Sequence, residues 1–201
     1  MPRLAGQIDL AKSEAILDAA SEVLGERGLS APMEEIARRA GVSKQTVYNH
    51  YGCKADLVRA LVDRRVDTIT APLREPGAEA HPEDALAAYA RTLLTIVTNR
   101  NYSLMRVIIQ SAGEMPDLAR AVFEAGPLRS RAQLAEFLDK ETRAGRMTIP
   151  DPRMAAEFFS GMVLGHRQTK ALLNIAPDLD EDAIEATANE AVRVFMKAYA
   201  A

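Results

Sequence analysis

Apolar positions in this chain recur at helical spacing almost from end to end. Ile16, Leu17, Ala20, Val23 and Leu24 fall on one face, which predicts an amphipathic helix over 10–27. The opposite face carries Glu14, Asp18, Glu22 and Glu26, four residues apart. It reads as a solvated acidic surface that should point away from any polyanion. Gly28 is placed to stop that helix in a left-handed turn. A short second helix is expected from Pro32, since a missing N–H costs nothing at the first helical position, to about Ala40. Gly41 ends it. Ser43 can cap a third helix that runs to about Tyr51, and a fourth is expected from near Lys54 to about Ile69. Pro72, Pro76, Gly77 and Pro82 then mark a joint. Beyond the joint the pattern predicts helices at 83–99, 102–113, 117–143 with a kink at Gly126-Pro127, 152–173 and 180–199. No strand alternation of any length and no repeat is visible, so the expected fold class is all-α.

Composition narrows the function classes. The chain has 201 residues and is 48% hydrophobic, enough to bury a core in one or two compact domains. Its net charge is −3, so any nucleic-acid affinity must come from a local patch. The lone cysteine, Cys53, excludes a disulfide within the chain and fits a reducing cytosol. Met1-Pro2-Arg3-Leu4 leads into charged sequence by Asp9 and Lys12, so no signal peptide is expected. No run approaches the roughly 18 apolar residues that would span a bilayer. A soluble, cytoplasmic protein with no membrane partner is expected. His50, His81 and His166 stand far apart, without Cys or acidic partners at metal spacing. There is no phosphate-cradling glycine loop, nucleophile elbow or HExxH. No catalytic residue, metal site or cofactor is expected, and an enzyme is the weakest reading.

The stretch from Met33 to Tyr51 carries the strongest signal. Two helices that cross at a short turn need a small residue at the contact and a glycine in the turn. Ala37 and Gly41 supply them. Ile36, Val42, Val47 and Tyr51 supply the buried side, with Val47 and Tyr51 four apart. Lys44, Gln45, Thr46, Tyr48, Asn49 and His50 are left outside. That set suits a DNA major groove: Gln and Asn can bond an adenine edge, Lys a guanine, and Thr, Tyr and His suit phosphates or the thymine methyl. Between Ile36 and Arg65 seven Lys or Arg face two acids, a local balance of +5. Focused positive charge on an acidic chain is what a phosphate-binding surface requires. The plainer alternative is a helical hairpin with a solvated polar face.

These residues also carry a family resemblance. Ile16-Leu17-Asp18-Ala19-Ala20, Glu26-Arg27-Gly28, Met33-Glu34-Glu35-Ile36-Ala37, Ala40-Gly41-Val42-Ser43-Lys44, Thr46-Val47-Tyr48-Asn49-His50-Tyr51 and Lys54-Ala55-Asp56-Leu57 resemble the N-terminal domain of TetR-family transcriptional regulators. The match covers about residues 10–65. It implies a three-helix helix-turn-helix domain, taken here as 1–53, followed by a helical effector-binding and dimerisation domain over 54–201. It implies a homodimeric repressor on a near-palindromic double-stranded DNA operator, released by a small-molecule effector. It assigns DNA contact to Ser43, Lys44, Thr46, Tyr48, His50 and Lys54, and packing to Tyr51. Two positions depart from the family pattern. Ala31-Pro32 replaces the usual Ser or Thr at the start of the second helix. Cys53 replaces the usual Ser, Asn or Asp before the fourth. A thiolate there would be stabilised by the helix and would allow a redox switch, against the plainer reading of an unreactive substitution.

A twofold dimer would present two reading heads about one helical turn apart, roughly 34–36 Å. Gly161 and Gly165, four apart, would allow a partner helix close approach. Phe159, Ala183, Ala191 and Val194 would complete the dimer face. An effector pocket is assembled from Tyr89, Leu93, Tyr102, Met105, Ile109, Phe123, Phe158, Met162 and His166, apolar bulk with a few polar handles. That lining implies a mainly hydrophobic effector. The alternative is a DNA-binding or architectural factor without an effector.

Overall fold

The computed structural model describes residues 5–98, 103–175 and 179–201. The first four helices are α1 (Ala5–Arg27), α2 (Met33–Arg39), α3 (Lys44–His50) and α4 (Lys54–Thr70). They are followed by α5 (Pro82–Thr98), α6 (Ser103–Ser111), α7 (Pro116–Phe123) and α8 (Arg129–Arg143). The last three are α9 (Pro152–Leu164), α10 (Arg167–Leu172) and α11 (Glu181–Tyr199). Short 3₁₀ segments cover Gly28–Ser30 and Ala71–Arg74. Among the described residues no strand forms beyond an isolated antiparallel bridge between Met147 and Ala200. The all-α expectation therefore holds.

The helices form two compact units. The first takes residues 5–64 and 103–123, the second 65–98 and 124–201, as far as these are described. In the first, Ile16, Ala20, Val23 and Leu24 of α1 are fully or almost fully buried, together with Ile36, Val47, Leu57 and Leu61. Leu104 and Ile108 of α6, which packs on α1, are buried as well. The proline-rich joint at 71–82 lies within the second unit, where it links α4 to α5.

The core of the second unit is built on aromatic contacts. Phe159 of α9 sits 6.3 Å from Tyr89 of α5 and meets Phe195 of α11 edge-on at 5.0 Å. The Tyr89 hydroxyl lies 3.2 Å from Ser130 Oγ, and burial pushes its phenol above the usual pKa. Glu141 is wholly buried, and Arg146 grips its carboxylate with bonds of 2.5 and 3.0 Å.

Two long helices expected from the sequence are interrupted. The 117–143 stretch widens into a π-turn over Glu124–Leu128, where Pro127 lacks an N–H for the regular ladder. The 152–173 stretch stops at Leu164, because Gly165 takes φ 48 and ψ −133 and the chain restarts as α10. That backbone region is in practice reserved for glycine. Gly165→Ala should destabilise the protein by about 1–3 kcal/mol in thermal or denaturant unfolding. An unchanged midpoint would mean that the break survives without glycine.

Candidate nucleic-acid interface

The turn between α2 and α3 is fixed by backbone chemistry. Gly41 adopts φ 66, Val42 N–H donates to Ala37 O at 3.0 Å, and Gly41 N–H donates to Arg38 O at 3.3 Å. Paired bonds of this kind close a helix on a left-handed residue. Ser43 then caps α3: its Oγ accepts from Thr46 N–H at 3.0 Å and lies 2.8 Å from Thr46 Oγ1. Val47 is buried completely and Tyr51 almost so, and the Tyr51 hydroxyl lies 2.7 Å from Ser13 Oγ of α1. Together these contacts set both the axis and the rotation of α3.

That rotation turns Ser43, Lys44, Gln45, Tyr48 and Asn49 to solvent, with Thr46 half-buried among them. Gln45 Nε2 donates to Asn49 Oδ1 at 2.8 Å, so the two amides hold each other across one helical turn. The Lys44 ammonium lies 5.7 Å from the centre of the Tyr48 ring and pairs with Glu34 of α2. These five side chains form a continuous polar row.

Two expected contact residues have partners within the first unit. His50 has only 16% of its side chain exposed, and its Nε2 lies 3.1 Å from Asp9 Oδ1 of α1. Lys54 is half-buried, and its ammonium donates to the Leu29 carbonyl at 2.5 Å. Lys54 thus ties the start of α4 to the turn after α1. Cys53 is exposed, and its thiol donates to Asp56 Oδ2 at 3.0 Å.

The acidic face of α1 is not simply solvated. Arg39 of α2 reaches both oxygens of Glu26 at 2.8 and 3.0 Å, with Glu22 at 3.5 Å. Arg64 of α4 takes Glu14 at 2.9 Å and Asp18 at 2.7 Å. Arg38 pairs with Glu35 at 2.6 Å. The local excess of +5 is real as a count, but much of it is already engaged within the first unit. Asp9, Ser13 and Glu34 escaped the sequence reading. Asp9 and Ser13 lie outside the motif window, and Glu34 lies inside it with no role assigned; only the crossing of the helices brings all three to α3.

The residues assigned to the second domain separate into distinct surroundings. Phe158 and Met162 of α9 are exposed and share an open groove of about 500 Å³ with Gly161, Val194, Ala198 and Tyr199. That groove unites two residues expected in the effector pocket with two expected at the dimer face. Tyr89 and Leu93 are buried in the second unit, and His166 is exposed after Gly165. Met105 is half-buried, and Ile109 and Phe123 are exposed, all three in the first unit. Tyr102 lies outside the described residues. Phe159 and Ala191, expected at the dimer face, are buried in the chain's own core, while Ala183 is half-buried. Among the described residues no group of His, Cys, Asp and Glu could hold a metal ion, and no helix is long and apolar enough to cross a membrane.

The ion pairs give the first unit an acid dependence of known sign. A hydrogen bond from Arg39 holds Glu26 below the usual carboxylate range, and Lys44 and Arg38 do the same for Glu34 and Glu35. A carboxylate whose pKa is lowered by folding contributes stability above its unfolded value and loses it as pH falls through its folded one. Arg39→Gln should therefore melt earlier than wild type at neutral pH, and the gap should close as pH falls through the carboxylate range. A gap independent of pH would remove the Arg39–Glu26 pair as its cause.

Known proteins agree with this geometry. Residues 16–61 match the family model described as bacterial regulatory proteins, tetR family. Residues 84–201 match the C-terminal domain of AefR-like transcriptional repressors. The transcriptional activator FasR of Mycolicibacterium smegmatis is 46% identical over 61 residues, which is 30% of this chain and 28% of that protein. The chain thus matches well under half the length of this curated relative. Solved structures match over nearly their whole length. A TetR-family transcriptional regulator from Mesorhizobium loti is 30% identical, with 96% of this chain and 98% of that one covered and a TM-score of 0.74. The flavonoid-responsive regulator FrrA is 32% identical, with 94% and 97% covered and a TM-score of 0.69. These relatives are regulators and not enzymes. The chain belongs to the TetR family of DNA-binding transcriptional regulators.

Proposed function

We propose that the protein is a homodimeric repressor that binds a near-palindromic operator through α3 and is released by a small, mainly hydrophobic effector. The observation that carries the DNA part is the outward row Lys44, Gln45, Tyr48 and Asn49, on a helix whose rotation is fixed by Val47 and Tyr51. Lys44, Thr46 and Tyr48 serve phosphates or base edges, and Gln45 and Asn49 read bases. Ser43 caps the helix that presents this row, and Lys54 ties the start of α4 to the turn after α1. A regulator bound to the chromosome works in the cytoplasm, at the nucleoid.

The 2.8 Å bond between Gln45 and Asn49 makes them one reading unit. Selection of bound sequences from a random DNA pool should yield two half-sites about one helical turn, roughly 34–36 Å, apart. Gln45→Ala and Asn49→Ala should each relax preference at the same base pair, by about 1–3 kcal/mol, and the double variant should cost less than the sum. Unaltered preference in both variants would remove the pair from base readout.

The groove on α9 and α11 supports the dimer. Phe158 and Met154 are more than half exposed, beside Met162 and Val194. A Cβ added at Gly161 meets nothing within 4 Å, so a partner helix can approach closely there. A twin surface would bury this apolar face. Phe158→Glu should give a folded monomer in sedimentation, with the helical signal unchanged. A surviving dimer would reject this face as the interface.

The match of the second unit to the C-terminal domain of AefR-like repressors, and its apolar interior around the Tyr89 and Ser130 hydroxyls, support an apolar effector. The flavonoid response of FrrA supports an aromatic or otherwise apolar ligand. Linkage then requires effector and operator to weaken each other by the same factor.

A further inference from the structure

Lys44 stands at the head of the outward row, yet its ammonium already has an anionic partner. Glu34, in the first turn of α2, reaches across the turn and forms an ion pair with it. The Lys44 side chain remains 56% exposed and that of Glu34 53%, so a competing anion can enter from solvent. The carboxylate takes one of the three ammonium donors and neutralises the charge with which a DNA phosphate would pair. Neighbouring pairs do different work. Arg39 with Glu26, and Arg64 with Glu14 and Asp18, tie helices α2 and α4 to α1. The Glu34 pair instead engages a residue of the DNA-facing row.

Exposed ion pairs are weak and screened by salt, so DNA can displace Glu34. The displaced carboxylate is then left beside a polyanion. It opposes binding, and it takes up a cation that offsets the counterion Lys44 releases from the DNA. We propose that Glu34 is an intramolecular phosphate mimic: it competes with DNA for Lys44 and so lowers the non-specific affinity of the reading head and flattens its salt dependence. This rests on Lys44 as a DNA contact. Glu34 acts through Lys44 and is a positioning residue.

The test uses the full chain and a fluorescent duplex of mixed sequence, with binding followed by anisotropy from about 50 to 200 mM salt. Glu34→Gln keeps the shape and removes the charge. It should tighten binding several-fold at the low end and steepen the slope of log affinity against log salt by about one. Its advantage over wild type should shrink about threefold across that range. Lys44→Gln should weaken binding but leave the slope close to that of wild type, because the release through Lys44 was already offset by uptake at Glu34; introduced into Glu34→Gln it should flatten the slope by about one, and with Lys44 gone Glu34→Gln should lose most of its effect. Four outcomes would overturn the proposal in distinguishable ways. If Lys44→Gln binds as wild type, the contact reading falls and the mimic falls with it. If Lys44→Gln weakens binding while Glu34→Gln leaves it unchanged, the contact stands and the mimic alone is wrong. If Glu34→Gln tightens binding equally with and without Lys44, the carboxylate repels DNA directly. If Glu34→Gln lowers the melting temperature and leaves DNA binding alone, Glu34 serves only the start of α2.

Discussion

A helix of seven residues has no stability of its own in water, because nucleation costs more than so few hydrogen bonds return. The helix proposed to read DNA, α3, is that short. It exists because Val47 and Tyr51 are packed into the first unit, because Ser43 caps one end, and because Ser13 meets the Tyr51 hydroxyl at the other. The rest of the site depends on this anchoring. It decides which side chains face outward, and it lets Gln45 and Asn49 meet across a single turn.

The placement of the reading helix was legible in the sequence because each device that makes it is local. Gly41, Ser43, Val47 and Tyr51 fall within eleven residues, and their order states the turn, the cap and the buried face. The helical character of the remainder was equally plain from its apolar spacing. The break at Gly165 was hidden, since the apolar pattern continues through Val163 and Leu164 and resumes at Ala171. A glycine within such a pattern reads as a packing site, and only its backbone angles distinguish a stop.

Charge was the hardest property to read. Arg64 meets Glu14 and Asp18 from 50 and 46 residues away, and Arg39 meets Glu26 from 13 away. The 36–65 window that gave the charge count contains the cations and not these acids. A segment that counts as strongly basic therefore folds into one whose cations are partly spoken for. The second unit hid its logic similarly. Phe159 sits on the same helix as Phe158 and Met162, but one residue's rotation puts it between Tyr89 and Phe195 and leaves its neighbours in the outer groove. A helical face cannot be divided into core and interface until its neighbours are known.

The path of the chain between its two units bears on how such regulators can be recombined. The first unit includes residues 103–123 as well as 5–64, so the polypeptide leaves it, returns and leaves again. Leu104 and Ile108 are buried there, on a helix that packs on α1. A chimera that exchanged only the leading segment would pair a foreign α1 with the native α6 and disturb that packing. A graft meant to redirect operator choice should change the outward row of α3 alone, or carry α6 and α7 along with the reading helices.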